Sequence, residues 1–150
     1  GQGTGLTIQF SDKPVPLPAV KVTDLDGRAL SSADWQGKVI LINFWATWCG
    51  PCRAEIPEFV KMQERYRDHL VIVGLSVDEG SPDAVKAFAR ELGVNYPVLD
   101  GNGRDDVEDA YGPMWGLPTS VIIGRDGRVV KRQTGAASKA QFNAIIQPLL

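Results

Sequence analysis

The sequence predicts an α/β domain built on a central mixed β-sheet with helices on its faces, and three patterns carry that prediction. Two apolar runs, Val39–Trp45 and Leu70–Ser76, are separated by a helical pattern with no tight hairpin between them, as in a parallel crossover. Thr119–Ile123 and Arg128–Arg132 flank Arg125-Asp126-Gly127, as in an antiparallel hairpin. Amphipathic stretches beginning at Ser81 and Ala137 supply further helices to cover the sheet.

Taken in order, residues 1–17 have no helical or strand period and read as an extended tail, with residues 18–150 forming one domain. Ala19–Leu25 alternates and meets Asp26-Gly27, a hairpin turn signal, before Arg28-Ala29-Leu30. Ser31 or Ser32 caps a short helical turn to Trp35, and Gly37 breaks the chain. Val39–Trp45 has the continuous apolar character of a strand buried on both faces and is the expected centre of the sheet. From Cys52 to about Asp68, the residues Ile56, Phe59, Val60, Met62 and Tyr66 follow helical spacing, with Pro57 expected to kink the helix. Leu70–Ser76 is the second buried strand. Ser81-Pro82 opens a helix that passes Val85, Phe88 and Leu92 to a stop at Gly93. Tyr96–Leu99 is expected as a short strand, Asp105–Tyr111 as a short helix, and Ala137–Leu149 as the closing helix.

The 150 residues suffice for a single core, so no disulfide is needed for folding. Composition is 43% hydrophobic and 23% charged, and the formal net charge is −2, which leaves no basic footprint for nucleic acid. The longest apolar run falls short of the roughly 20 residues of a membrane helix, and the chain is expected to be soluble. It begins at Gly1 without methionine and reads as a trimmed or mature start; no signal peptide or membrane anchor is visible, and the residues leave open whether one was removed.

The only two cysteines, Cys49 and Cys52, lie between a buried strand and a helix in Trp48-Cys49-Gly50-Pro51-Cys52. Pro51 suits a first helical turn, and the free N–H groups of that turn stabilise a thiolate. Cys49 is therefore the expected nucleophile, with its pKa below the ordinary thiol value. Cys52 follows on the same helix face, placed to resolve a mixed disulfide. The competing readings are a permanent disulfide, which closes too small a loop to restrict the unfolded chain much, and a metal site. Zinc requires more ligands than the cysteines and His69, the single histidine, provide, and covalent haem requires a histidine where Arg53 stands. No metal and no cofactor beyond a redox-active Cys49–Cys52 disulfide is expected.

The Trp48–Cys52 segment resembles the active-site signature of the thioredoxins, and Gly116-Leu117-Pro118-Thr119 resembles that family's cis-proline loop. Leu25-Asp26-Gly27, Gly37-Lys38, Asn43–Trp48 and Glu55-Ile56-Pro57 extend the likeness to the TlpA/ResA branch of thiol-disulfide oxidoreductases, with an insert at about 82–111. The resemblance implies a thioredoxin fold, a cis Pro118, and a Leu117 backbone that pairs with substrate. Trp48, Gly50, Pro51, Met114 and Trp115 would rim the exposed sulfur, although Trp115 fits a packing role equally well. Where many thioredoxins carry a buried aspartate, this chain has Asn43, and in the ResA-like branch Glu55, three residues beyond Cys52, is implicated in proton transfer instead. A first-turn glutamate that favours the helix dipole is the plainer reading.

The implied partners are a disulfide-containing client protein, apocytochrome c among the candidates, and an upstream thiol electron donor. The protein is expected to act as a monomer in an extracytoplasmic setting, periplasmic or membrane-anchored, while the residues themselves leave a cytoplasmic one open. Gly50-Pro51 suits the reducing end of the family. A peroxiredoxin would carry threonine or serine and proline where Ala46 and Ile42 stand. A thioredoxin-fold copper chaperone or redox-poised binding module would space its cysteines more widely and add a later histidine; copper titration against insulin reduction separates that class from the reductase.

Overall fold

The computed structural model describes residues 21–101 and 115–150. The tail, the expected helix at Asp105–Tyr111 and Met114 lie outside the described residues. In chain order come β1 (Lys21–Thr23), β2 (Ala29–Ser31), a 3-10 turn (Ser32–Trp35), β3 (Val39–Trp45), α1 (Gly50–Arg65) and β4 (Leu70–Ser76). Then follow α2 (Pro82–Glu91), β5 (Val98–Asp100), β6 (Thr119–Ile123), β7 (Val129–Thr134) and α3 (Lys139–Ile146), which ends in a 3-10 turn at Gln147–Leu149.

Among the described residues, the main sheet has five strands in the order β5-β4-β3-β6-β7. β3 pairs parallel with β4 and antiparallel with β6, so the crossover and the hairpin read from the sequence meet at the central strand. Every residue of β3 and β4 is buried, because both faces of the sheet are covered. Val39, Leu41, Leu70, Ile72 and Ile122 face Phe59 and Met62 of α1 and Phe142 and Ile146 of α3. Ile40, Ile42, Phe44, Val71, Val73 and Val121 form the opposite face with Trp35. The β1–β2 hairpin is a separate two-stranded sheet, joined to β5 by the Leu25 N–H, which donates to the Val98 carbonyl at 3.1 Å.

β5 pairs only with Gly74–Ser76, so the first half of β4 has no strand on that side among the described residues. The Gln63 amide takes its place: Nε2 donates to the Leu70 carbonyl at 2.8 Å, and Oε1 accepts from the Ile72 N–H at 2.8 Å. One side chain thereby satisfies two backbone groups at an open sheet edge.

Element ends differ from the sequence reading for local reasons. α1 starts at Gly50 rather than Cys52, because Cys49 is the N-cap and Pro51 occupies the first turn. It continues through Pro57 and stops at Arg65, after which the His69 and Leu70 N–H groups both donate to the Tyr66 carbonyl at 2.8 Å. β5 starts at Val98, since Tyr96 turns into the core and Pro97 has no N–H to give; its carbonyl accepts from Gly74 at 2.9 Å. β7 extends to Thr134, where Gly135 at φ 89° turns the chain. α3 is shorter than the expected Ala137–Leu149 because Ser138 caps it in a capping box with Gln141.

Candidate active site

The C-terminal end of β3 delivers Trp45 and Ala46 into a buried cluster with Cys49, Cys52, Ile56, Val85, Ala89 and Val98. Cys49 caps α1 with its own side chain: Sγ accepts the Cys52 N–H at 3.2 Å. That donor is one of the orphan N–H groups of a helix start, and it favours negative charge on the sulfur. Cys49 and Cys52 are joined as a disulfide with Cα atoms 5.3 Å apart. Cys49 is itself buried, at 6% exposure, not exposed as the resemblance implied, because the disulfide packs into this cluster; it borders the exposed Trp48, Gly50 and Pro51, whereas Cys52 is 1% exposed and faces the interior.

Buried positions on α1 are Cys52, Glu55, Ile56, Phe59 and Met62, an apolar helical stripe with one carboxyl in it. Glu55 is 4% exposed. Its Oε2 accepts the Ala137 N–H at 2.9 Å, which explains why Ala137 is held outside α3. Oε1 has no hydrogen-bond partner among the described residues. Burial pushes the carboxyl up to about 7, against the smaller downward pulls of the Ala137 N–H and then the Asn43 amide. Asn43 Nδ2 is committed to Ser120 Oγ, at 3.1 Å across the β3–β6 pair, so it relieves Glu55 only weakly. Tyr96 is buried against Phe59, and its phenol is held well above the ordinary range by burial first and then by the Glu55 charge. Gly74 leaves room for Trp45 and Tyr96, since a Cβ there would lie 3.1 Å from Trp45 Nε1 and 3.3 Å from the Tyr96 ring.

The Leu117–Pro118 peptide is cis, as the resemblance implied. Leu117 packs against the cluster that holds both cysteines, and Pro118 is buried with its carbonyl accepting from Gly135 at 2.8 Å. Trp48 is 71% exposed and Trp115 57%, so Trp115 is not a core packing residue. His69 is exposed at the far end of α1. Among the described residues, no group of three or more His, Cys, Asp and Glu side chains is arranged to hold a metal ion.

No motif in the sequence marks Asp78, whose carboxylate binds Thr47, two residues before Cys49. Its signal is positional: it follows the C-terminal end of a central strand, where α/β proteins gather functional groups.

A redoxin family model matches residues 12–146. The chain is 35% identical over 133 residues to the thiol-disulfide oxidoreductase ResA of Bacillus anthracis, covering 88% of this chain and 75% of that one. The chain belongs to the redoxin family, among its ResA-like thiol-disulfide oxidoreductases. ResA of Bacillus subtilis is 35% identical over 127 residues, covering 84% of this chain and 69% of the relative. A thioredoxin-family thiol:disulfide interchange protein from Chlorobium tepidum superposes with a TM-score of 0.82 at 33% identity, covering 93% of this chain and 98% of that one. A DsbF homologue from Corynebacterium diphtheriae shares the fold at a TM-score of 0.83 and 23% identity, covering 99% and 97%. This ResA-like enzyme therefore has a thioredoxin fold and carries out disulfide redox chemistry.

Proposed function

We propose that the protein reduces disulfides of client proteins outside the cytoplasm, with Cys49 as the attacking and Cys52 as the resolving sulfur. The observation that carries this reading is the asymmetry of the pair: Cys49 caps a helix start beside an exposed rim, and Cys52 lies inside, in the stripe that contains Glu55.

In the dithiol form, the Cys49 thiolate attacks one sulfur of the client disulfide. That S–S bond breaks, one client sulfur leaves as a thiolate and takes a proton from solvent, and Cys49 is joined to the other. Cys52 gives its proton to the Glu55 carboxylate and attacks Cys49 Sγ. The second client sulfur leaves, and the Cys49–Cys52 disulfide closes, so two electrons have passed from protein to client. A carboxyl near 7 is suited to this exchange, because at neutral pH it holds comparable amounts of acceptor and donor forms. Trp48, Gly50, Pro51 and Trp115 form the client-facing surface, with the Leu117 backbone and Pro118 beside the sulfurs.

Gly50-Pro51 and the likeness to the ResA branch support reduction as the direction, an extracytoplasmic place of action, and a thiol donor that restores the dithiol. Apocytochrome c is among the clients that likeness suggests. No helix among the described residues is long and apolar enough to cross a membrane. Equilibration with glutathione tests the direction: the expected potential lies nearer the about −270 mV of thioredoxin than the about −120 mV of a strong oxidase. A value at the oxidase end would overturn reduction.

A further inference from the structure

The connection from β3 to Cys49 runs through Ala46, Thr47 and Trp48, and an acidic side chain two residues beyond the end of the neighbouring strand β4 holds its middle. The Thr47 N–H donates to Asp78 Oδ1 at 3.0 Å and to Oδ2 at 3.3 Å, and the Thr47 hydroxyl donates to Oδ2 at 2.5 Å. Asp78 is itself fixed: Ser76 Oγ donates to Oδ1 at 2.7 Å and accepts the Asp78 N–H at 3.1 Å, and Ser76 is buried. The Val77 N–H donates to the Trp45 carbonyl at 2.9 Å, so the ends of β3 and β4 are also tied immediately before this carboxylate. Beyond Thr47, the Cys49 N–H donates to the Ala46 carbonyl at 3.2 Å, and the Cys49 carbonyl accepts from Arg53 at 3.1 Å. Bonds at Thr47 and at Cys49 thus bracket Trp48 on the short path from Asp78 to the sulfur.

We propose that Asp78 is a positioning residue for the redox couple: by binding both hydrogen-bond donors of Thr47, it fixes the backbone that leads into Cys49. It thereby holds Cys49 Sγ in register with Cys52 and with the first-turn N–H of α1. The proposal rests on Cys49 and Cys52 being the reacting pair. A side chain anchored in this way raises the effective concentration of one thiol for the other, and charge-assisted bonds are well suited to the task.

The reaction that reads this is the exchange of the protein disulfide and two glutathione thiols for the protein dithiol and glutathione disulfide. Asp78→Ala is expected to shift that equilibrium about tenfold toward the dithiol, a potential about 30 mV less negative. Asp78→Asn keeps an oxygen for the Thr47 N–H and an amide for its hydroxyl, and is expected to recover most of the shift. An alanine variant with the parent's equilibrium constant would overturn the proposal. Equal shifts in the alanine and asparagine variants would also overturn it, because charge rather than geometry would then be responsible. If Asp78→Ala fails to fold, Thr47→Val removes only the hydroxyl bond and is expected to move the equilibrium in the same direction by less; no movement overturns the proposal. A parent protein with no two-electron dithiol–disulfide equilibrium would sink the reading of the cysteine pair itself, an outcome visible before any variant is made.

Discussion

Replacing Glu55 with glutamine is expected to remove a pH-dependent weakness from the oxidised protein. Glu55 lies buried in the apolar stripe of α1, with Ala137 N–H on one oxygen and no hydrogen-bond partner among the described residues on the other. Its carboxyl is pushed from the ordinary 4.5 to about 7 by burial. Between those values the native state binds more protons than the unfolded chain, so stability is greatest below 4.5, falls as pH rises through the window, and levels off above the folded value. At about 1.4 kcal/mol per pH unit, the span from 4.5 to about 7 amounts to about 3 kcal/mol at most. Glutamine is neutral throughout and keeps an oxygen for Ala137. Chemical denaturation of the oxidised protein at about pH 5 and about pH 8.5 should show the parent losing up to this much relative to Glu55→Gln. Parallel pH dependence in the two proteins would refute the burial argument. In the reduced protein, the same variant should shift the pH profile of thiol alkylation and slow turnover, and identical profiles would remove Glu55 from the proton transfer.

Gln63→Leu preserves side-chain bulk but leaves the Leu70 carbonyl and Ile72 N–H without their partners, so a loss of about 2 kcal/mol in denaturation experiments is expected. Concentration-dependent self-association through the bared β4 edge should accompany it, and unchanged stability would count against the edge-cap role. Trp48→Ala should leave the melting temperature almost unchanged, since the ring is 71% exposed. It should lower kcat/KM for a protein disulfide about fivefold while sparing a small-molecule disulfide, as loss of about 1 kcal/mol of client contact predicts. Equal effects on both substrates would refute a client-facing role.

The central strands were legible because two-sided burial leaves an uninterrupted apolar run, and Val39–Trp45 and Leu70–Ser76 have the predicted bounds. The cysteine pair was legible because its chemistry is local: a strand end, a helix start and Pro51 within a few residues. Contacts between distant segments were not. Ala137 continues a helical pattern, yet its N–H is taken by Glu55, 82 residues earlier, and the helix starts beyond it. Glu55 looks like a surface first-turn residue until the helix stripe is seen to bury it, so only the family resemblance raised its role. Asn43 meets Ser120 through sheet register, and Asp78 meets Thr47 across 31 residues; neither pairing leaves a period in the sequence. Trp115 was ambiguous in the sequence because a tryptophan serves packing and binding alike, and its exposure decides against packing.

The most direct test of the division of labour is mixed-disulfide trapping with single-cysteine variants. Cys52→Ser should retain client proteins covalently on Cys49, identified under non-reducing conditions by mass spectrometry, while Cys49→Ser should retain almost none. Equal trapping by the two variants, or trapping by Cys49→Ser alone, would contradict an attacking sulfur at the helix cap beside the exposed rim and a resolving one in the buried stripe that contains Glu55.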